Sequence, residues 1–187
     1  MAKFDHGPGL ERKFCQPDGP LALREGAQIQ GYASLFGAVD GGGDVVQSGA
    51  YAACLRQMSA DGRRVKMLWQ HDPAEPIGIW DEVREDERGL FVKGRILTDV
   101  ARGREAAALV TAGAIDGLSI GYRTKRSSKD ASGRRLLAEL ELWEVSLVTF
   151  PMLPDARVGA KAEDMAEALL REMADAFDGA RRVLAEG

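Results

Sequence analysis

Gly117-Leu118-Ser119-Ile120-Gly121 (GLSIG) is the stretch on which the fold assignment turns. It satisfies the G-x-S-x-G pattern of the nucleophile elbow, in which a serine occupies a sharp strand-to-helix turn of an α/β-hydrolase. The flanking residues have the opposite order. Upstream, Thr98 or Asp99 can cap a helix that runs to about Ala112, with Gly113 as its stop. Downstream, Leu118 to Lys125 alternates weakly, with Leu118, Ile120 and Tyr122 on one face and Ser119, Gly121 and Arg123 on the other. The hydrolase order also needs a histidine after the serine, and none follows Ser119. The α/β-hydrolase reading is dismissed, and Ser119 is placed in a strand preceded by a helix.

Working outward, Gln28 to Phe36 reads as a strand with a bulge at Gly31. Arg63 to Gln70 reads as a strand ending at His71-Asp72-Pro73, and Pro76 to Val83 with Gly89 to Leu97 as a hairpin around Arg84 to Arg88. Ser48 can cap a helix through Met58 that puts Tyr51, Cys54, Leu55 and Met58 on one face. Arg126 to Gly133 reads as a polar hairpin loop. Leu136 to Phe150 is strand-like, with a candidate break near Trp143, and is ended by Pro151 and Pro154. Asp40-Gly41-Gly42-Gly43-Asp44 is a flexible turn, since a phosphate-binding loop would need a following Lys-Ser/Thr. Residues 1–27, rich in glycine, proline and charge, read as a mobile or loosely docked arm. Met165, Leu169, Met173, Phe177, Ala180 and Leu184 recur at spacings of three and four, which predicts a C-terminal amphipathic helix within an appendage, residues 159–187. The expected architecture is a β-rich α+β domain over residues 28–158, with six or seven mostly antiparallel strands and three helices in a barrel or sandwich.

Composition agrees with one ordinary domain with tails: 187 residues, 45% hydrophobic and 29% charged. A net charge of −4 argues against nucleic acid as the main partner, because phosphate neutralisation needs a basic surface. No apolar run approaches the ~20 residues of a membrane span, and Met1 to Gly9 has no apolar signal core, so a cytoplasmic protein is expected. Cys15 and Cys54 offer neither metal-ligand spacing nor a disulfide framework, and neither a metal nor another cofactor is expected.

A serine attacks only if a base takes its proton, and histidine suits that task near neutral pH. Of the two histidines, His6 lies in the Gly/Pro-rich leader, which leaves His71 as the structured candidate. A third polar group usually orients the imidazole. Glu144 is a candidate, since it follows Trp143 in an otherwise apolar strand, where an unpaired buried carboxylate costs several kcal/mol. Each residue also has a plain reading: Ser119 as a small packed strand residue, His71 as a turn residue, Glu144 as an arginine partner. Asp72 beside His71 lacks a second histidine or cysteine for a metal site, and the helical face of Cys54 looks buried.

Longer strings add a resemblance. Gly31-Tyr32-Ala33-Ser34-Leu35-Phe36, followed by Gly43-Asp44-Val45-Val46 and Gly49-Ala50-Tyr51, resembles the opening of tailed-phage prohead maturation proteases. Leu68-Trp69-Gln70-His71-Asp72 with Pro76-Ile77-Gly78 is similar to that family's histidine block. Gly113-Ala114-Ile115-Asp116-Gly117-Leu118-Ser119-Ile120-Gly121-Tyr122 is similar to its serine block, and Trp143-Glu144-Val145-Ser146-Leu147-Val148-Thr149-Phe150-Pro151 to its closing strand. The resemblance covers about Gln28 to Val158.

The resemblance implies a fold like the herpesvirus capsid-assembly protease, a closed or nearly closed, mostly antiparallel β-barrel surrounded by helices. It implies a serine endopeptidase with His71 as base, Ser119 as nucleophile and Glu144 as third member, where the herpesvirus enzymes have a second histidine. The oxyanion donors would fall near Pro151 to Arg157. The implied partner is the precursor of the major capsid protein with its scaffolding segment, cleaved inside the assembling procapsid of a phage or a phage-like particle such as a gene transfer agent. Self-cleavage and a dimer are implied as well. The alternatives are a non-catalytic assembly scaffold on the same fold and a hydrolase of small esters. An active enzyme requires His71 and Ser119 within hydrogen-bond reach.

Overall fold

The computed structural model describes residues 11–15 and 27–149, which form eight strands and two helices. In chain order these are β1 (Glu11–Cys15), β2 (Gln28–Leu35), β3 (Asp44–Val46), α1 (Ala52–Ala60), β4 (Lys66–Trp69), β5 (Asp72–Glu85), β6 (Gly89–Ile96), α2 (Ala101–Thr111), β7 (Gly117–Lys129) and β8 (Arg135–Val148). All eight strands join one sheet in the order β1-β7-β8-β4-β5-β6-β2, with β3 paired to β8 beside this path. Pairing is antiparallel except where β3 and β4 run parallel to β8.

The sheet curls. β1 and β2, at the two ends of the path, approach each other without a ladder between them among the described residues. Among the described residues the result is a curled half-barrel, without the closure of the closed or nearly closed barrel that the resemblance implies. Its concave side is filled by Ile29, Met67, Ile77, Leu118, Ile120 and Leu147, all almost completely buried. α1 packs on β8 and β5, and α2 on β5 and β6. The expected C-terminal helix lies outside the described residues.

Most elements occur where hydrophobic periodicity puts them, with four informative differences. First, a five-residue strand, β1, lies within the stretch read as an arm. It pairs with β7 and is anchored by Lys13, whose buried ammonium lies 2.9 Å from Asp40 Oδ2 and donates to the Asp44 carbonyl at 3.1 Å. Asp40 in turn accepts the backbone N–H groups of Gly42 and Asp44 through Oδ1. The glycine-rich turn is thereby an ordered receptor for β1. Second, β7 continues to Lys129 through residues expected in a loop, because Arg126 to Lys129 find ladder partners on β8.

Third, α1 does not use the expected Ser48 cap. α1 begins after Tyr51, and its entry is held from β5 by Glu85, which accepts the N–H of Gly49 and, at 3.0 Å, that of Tyr51. Fourth, α2 begins after Val100 in extended conformation, so Thr98 and Asp99 lie too early to cap it; their carbonyls accept from Arg104. Gly113 follows the last turn at φ 71°, as a helix stop in left-handed conformation should.

The N–H groups of Gly49 and Tyr51 lie in the turn before the helix, and the Glu85 carboxylate satisfies both. Glu85→Ala leaves two donors without their acceptor and is predicted to cost about 1 kcal/mol in urea unfolding, and an unchanged midpoint would mean that Glu85 does not hold this turn.

Candidate active site

Ser119 lies in β7, Glu144 in the neighbouring β8, and His71 in the turn that follows β4, the next strand across. Register and parity decide which side each faces. In β7 the residues Leu118, Ile120 and Tyr122 point to the core, so Ser119 and Gly121 point to the other side. In β8 the residues Leu140 and Leu142 point to the core, and strict alternation would send Glu144 and Ser146 there too. The ladder skips Trp143: Tyr122 pairs with Leu142 and Gly121 with Glu144. This bulge resets the parity, so Val145 and Leu147 enter the core while Glu144 and Ser146 come out opposite Gly121 and Ser119. Trp143 itself is exposed, with the Arg123 guanidinium 5.7 Å from its ring centroid.

His71 arrives by a two-residue turn. Trp69 pairs with Asp72, and the intervening Gln70 and His71 have φ of 50° and 63°. Both are left-handed, as the tight hairpin turn demands, at roughly 1–2 kcal/mol each for non-glycine residues. The turn is tied to the end of β8: Gln70 N–H donates to the Leu147 carbonyl at 3.0 Å, and His71 N–H to Ser146 Oγ at 3.2 Å. The Gln70 side-chain amide donates to Thr149 Oγ1 at 2.7 Å. The plain reading of His71 as a turn residue holds, and the same turn brings its side chain between Ser119 and Glu144.

The three side chains form one hydrogen-bonded chain. Ser119 Oγ lies 2.6 Å from His71 Nε2, and His71 Nδ1 lies 2.5 Å from Glu144 Oε1. All three residues are buried, at 0%, 7% and 7% exposure. Glu144 has the imidazole as partner rather than an arginine. The Ser119 hydroxyl has a second acceptor, the Lys13 carbonyl on β1 at 3.1 Å. Having one proton, it donates to His71 or to Lys13, but not to both at once. Chemically, a hydroxyl beside a carboxylate-oriented imidazole can act as an activated nucleophile.

Space for the carboxylate comes from Gly121. A Cβ there would collide with Glu144 Oε1 and lie 2.9 Å from its Cγ and Cδ. Cys54 is not part of this arrangement: its thiol faces the Leu142 backbone, and burial pushes its pKa up. The signal for Ser146 in the sequence was its alternation with Glu144 across Val145, which the reading of candidate residues passed over. The segment Pro151 to Arg157, named for oxyanion donors, lies outside the described residues.

The family described as caudovirus prohead serine protease matches residues 20–171. The chain belongs to that family. It is 31% identical over 135 residues to the prohead protease of Enterobacteria phage HK97, an alignment covering 71% of this chain and 59% of that protein. It is also 30% identical over 102 residues to a capsid polyprotein of Pseudomonas phage PAJU2, covering 50% of this chain and 15% of that one. The chain thus spans about three fifths of the HK97 relative and a small part of the polyprotein. In fold it is similar to the capsid assembly protease of bacteriophage T4, with a TM-score of 0.62 at 16% identity, covering 75% of this chain and 97% of that one. Among the described residues no helix is long and apolar enough to cross a membrane.

Alanine in place of glycine in a strand usually stabilises or does nothing. Gly121→Ala is predicted instead to cost about 1–3 kcal/mol in urea unfolding, by forcing the carboxylate aside. An unchanged midpoint would mean that Glu144 does not need that space.

Proposed function

We propose that this prohead-protease family member is a serine endopeptidase that removes the scaffolding part of a major capsid protein, and cleaves itself, within the assembling shell of a phage or phage-like particle. The observation that carries this reading is the unbroken chain Ser119–His71–Glu144. A non-catalytic scaffold on the same fold has no need of a hydroxyl at 2.6 Å from an imidazole that a buried carboxylate orients.

In this reading Ser119 Oγ attacks the scissile carbonyl as His71 Nε2 takes its proton. The C–N bond breaks as His71 returns that proton to the leaving amine. Water, deprotonated by His71, then attacks the serine ester, and His71 returns that proton to Ser119 Oγ as the ester C–O bond breaks. Glu144 holds the proton of His71 at Nδ1, so that Nε2 presents a lone pair, and it stabilises the imidazolium that forms in each half-reaction. Attack by Ser119 requires its hydroxyl to turn from the Lys13 carbonyl to His71 Nε2, since both accept its single proton. The capsid precursor as partner, self-association as a dimer and action inside the procapsid belong to the same proposal. Support comes from the family, and from relatives that are themselves a prohead protease and a capsid polyprotein.

The test is intact-mass spectrometry of the cognate capsid precursor co-expressed with this chain. Cleavage at a defined site is expected with the wild type and none with Ser119→Ala or His71→Ala. Glu144→Gln should lower the rate roughly 100- to 10,000-fold by releasing the imidazole from its tautomer and orientation. An intact precursor with the wild type, or cleavage that survives Ser119→Ala, would overturn the reading.

A further inference from the structure

Among the described residues, Ser146 is the one buried polar side chain at the site to which the mechanism above gives no task. It stands opposite Ser119 in the β7–β8 ladder and opposite Leu68 in the parallel β4–β8 ladder, and it is completely buried. Its hydroxyl makes two directed bonds. Oγ accepts the backbone N–H of His71 at 3.2 Å, and its proton goes to Glu144 Oε2. Glu144 Oε1 meets His71 Nδ1 at 2.5 Å. The three residues therefore close a ring: His71 backbone to Ser146, Ser146 to Glu144, Glu144 back to the His71 imidazole.

The polarity of this ring is forced at its first link. A backbone N–H can only donate, so Ser146 Oγ must accept there and its own proton is free for the carboxylate. With Oε2 accepting from Ser146, the carboxylate is held by both oxygens, and its rotamer no longer depends on the imidazole. Oε1 is then a fixed acceptor facing Nδ1. The ring proton is held at Nδ1, and Nε2 keeps its lone pair toward Ser119. The same hydroxyl also grips the left-handed His71 backbone, a conformation that persists only where its surroundings over-determine it.

We infer that Ser146 is a positioning residue for the proposed acyl transfer, acting on both ends of the His71–Glu144 pair. Its two hydrogen bonds go to His71 and Glu144 and not to Ser119, and its complete burial keeps it from a substrate. Its effect is to fix the tautomer of His71 and the direction of Nε2. Ser146→Ala should then lower kcat about 10- to 100-fold with little change in KM, as expected when a reacting group loses its alignment rather than its binding site. Ser146→Thr keeps the hydroxyl and should restore most of that rate.

The inference rests on the protease reading, so its test includes a measurement made without substrate. The full chain has two histidines, so labelling histidine with 15N leaves two residues to assign. In the wild type a far-downfield ring N–H resonance is expected for His71 Nδ1. It should shift upfield or vanish by exchange in Ser146→Ala, and return in Ser146→Thr. This signal reports on the ring whether or not any precursor is cut, so loss of cleavage alone cannot be mistaken for loss of the ring. A folded Ser146→Ala that keeps the resonance and cleaves within about twofold of wild type would overturn the inference, as would a folded Ser146→Thr that restores neither. If the alanine form does not fold, the near-isosteric Ser146→Cys replaces it. A displaced resonance would then support the inference, and an unchanged one would refute it.

Discussion

The unpaired residue Trp143 controls the direction of every side chain that follows it in β8. A strand alternates with a period of two, so one extra residue exchanges the faces of all that lie beyond it. Before the bulge, Leu140 and Leu142 fill the half-barrel; after it, Val145 and Leu147 do. Without it, Glu144 and Ser146 would enter an apolar core unpartnered, and two aliphatic side chains would face the site. Burying one carboxylate that way would cost several kcal/mol, a large part of the stability of a domain this size. The bulge thus serves core and site together. Its visible cost is one exposed tryptophan, partly covered by Arg123.

Around this bulge the site concentrates departures from local rules. A carboxylate is buried, two successive non-glycine residues are left-handed, and two serines are fully buried. Each departure is answered by a neighbour. Glu144 is held by His71 and Ser146, the turn is held by Leu147, Ser146 and Thr149, and the carboxylate has room because Gly121 lacks a Cβ. Sequences that specify one fold usually agree at every level, and exceptions gather where function requires them. The clustering of exceptions on three adjacent strands is what sets this region apart from the rest of the sheet.

How far the sequence foretold this depends on the range of the interaction. Period and punctuation are local, so the helix before Ser119, the β5–β6 hairpin and the break near Trp143 were legible. Ser119, His71 and Glu144 were legible as residue types that chemistry could use, and the family resemblance supplied their order. What was missed is non-local. β1 was hidden by the glycines and prolines around it, because its anchor is Asp40, 27 positions away. The turn leading into α1 is held by Glu85 on β5, which no reading of Ser48 could reveal. The parallel pairing of β4 with β8 brings His71 beside Ser146, and only that pairing gives Ser146 a task.

The central claim is that the chain of hydrogen bonds from Glu144 through His71 makes Ser119 nucleophilic. The most direct measurement is the rate of covalent labelling of the folded protein by a fluorophosphonate, with the modified residue located by tandem mass spectrometry. A single adduct on Ser119, formed far more slowly in His71→Ala, is the predicted result. An adduct on a different serine, or labelling of Ser119 at the same rate without His71, would contradict the account.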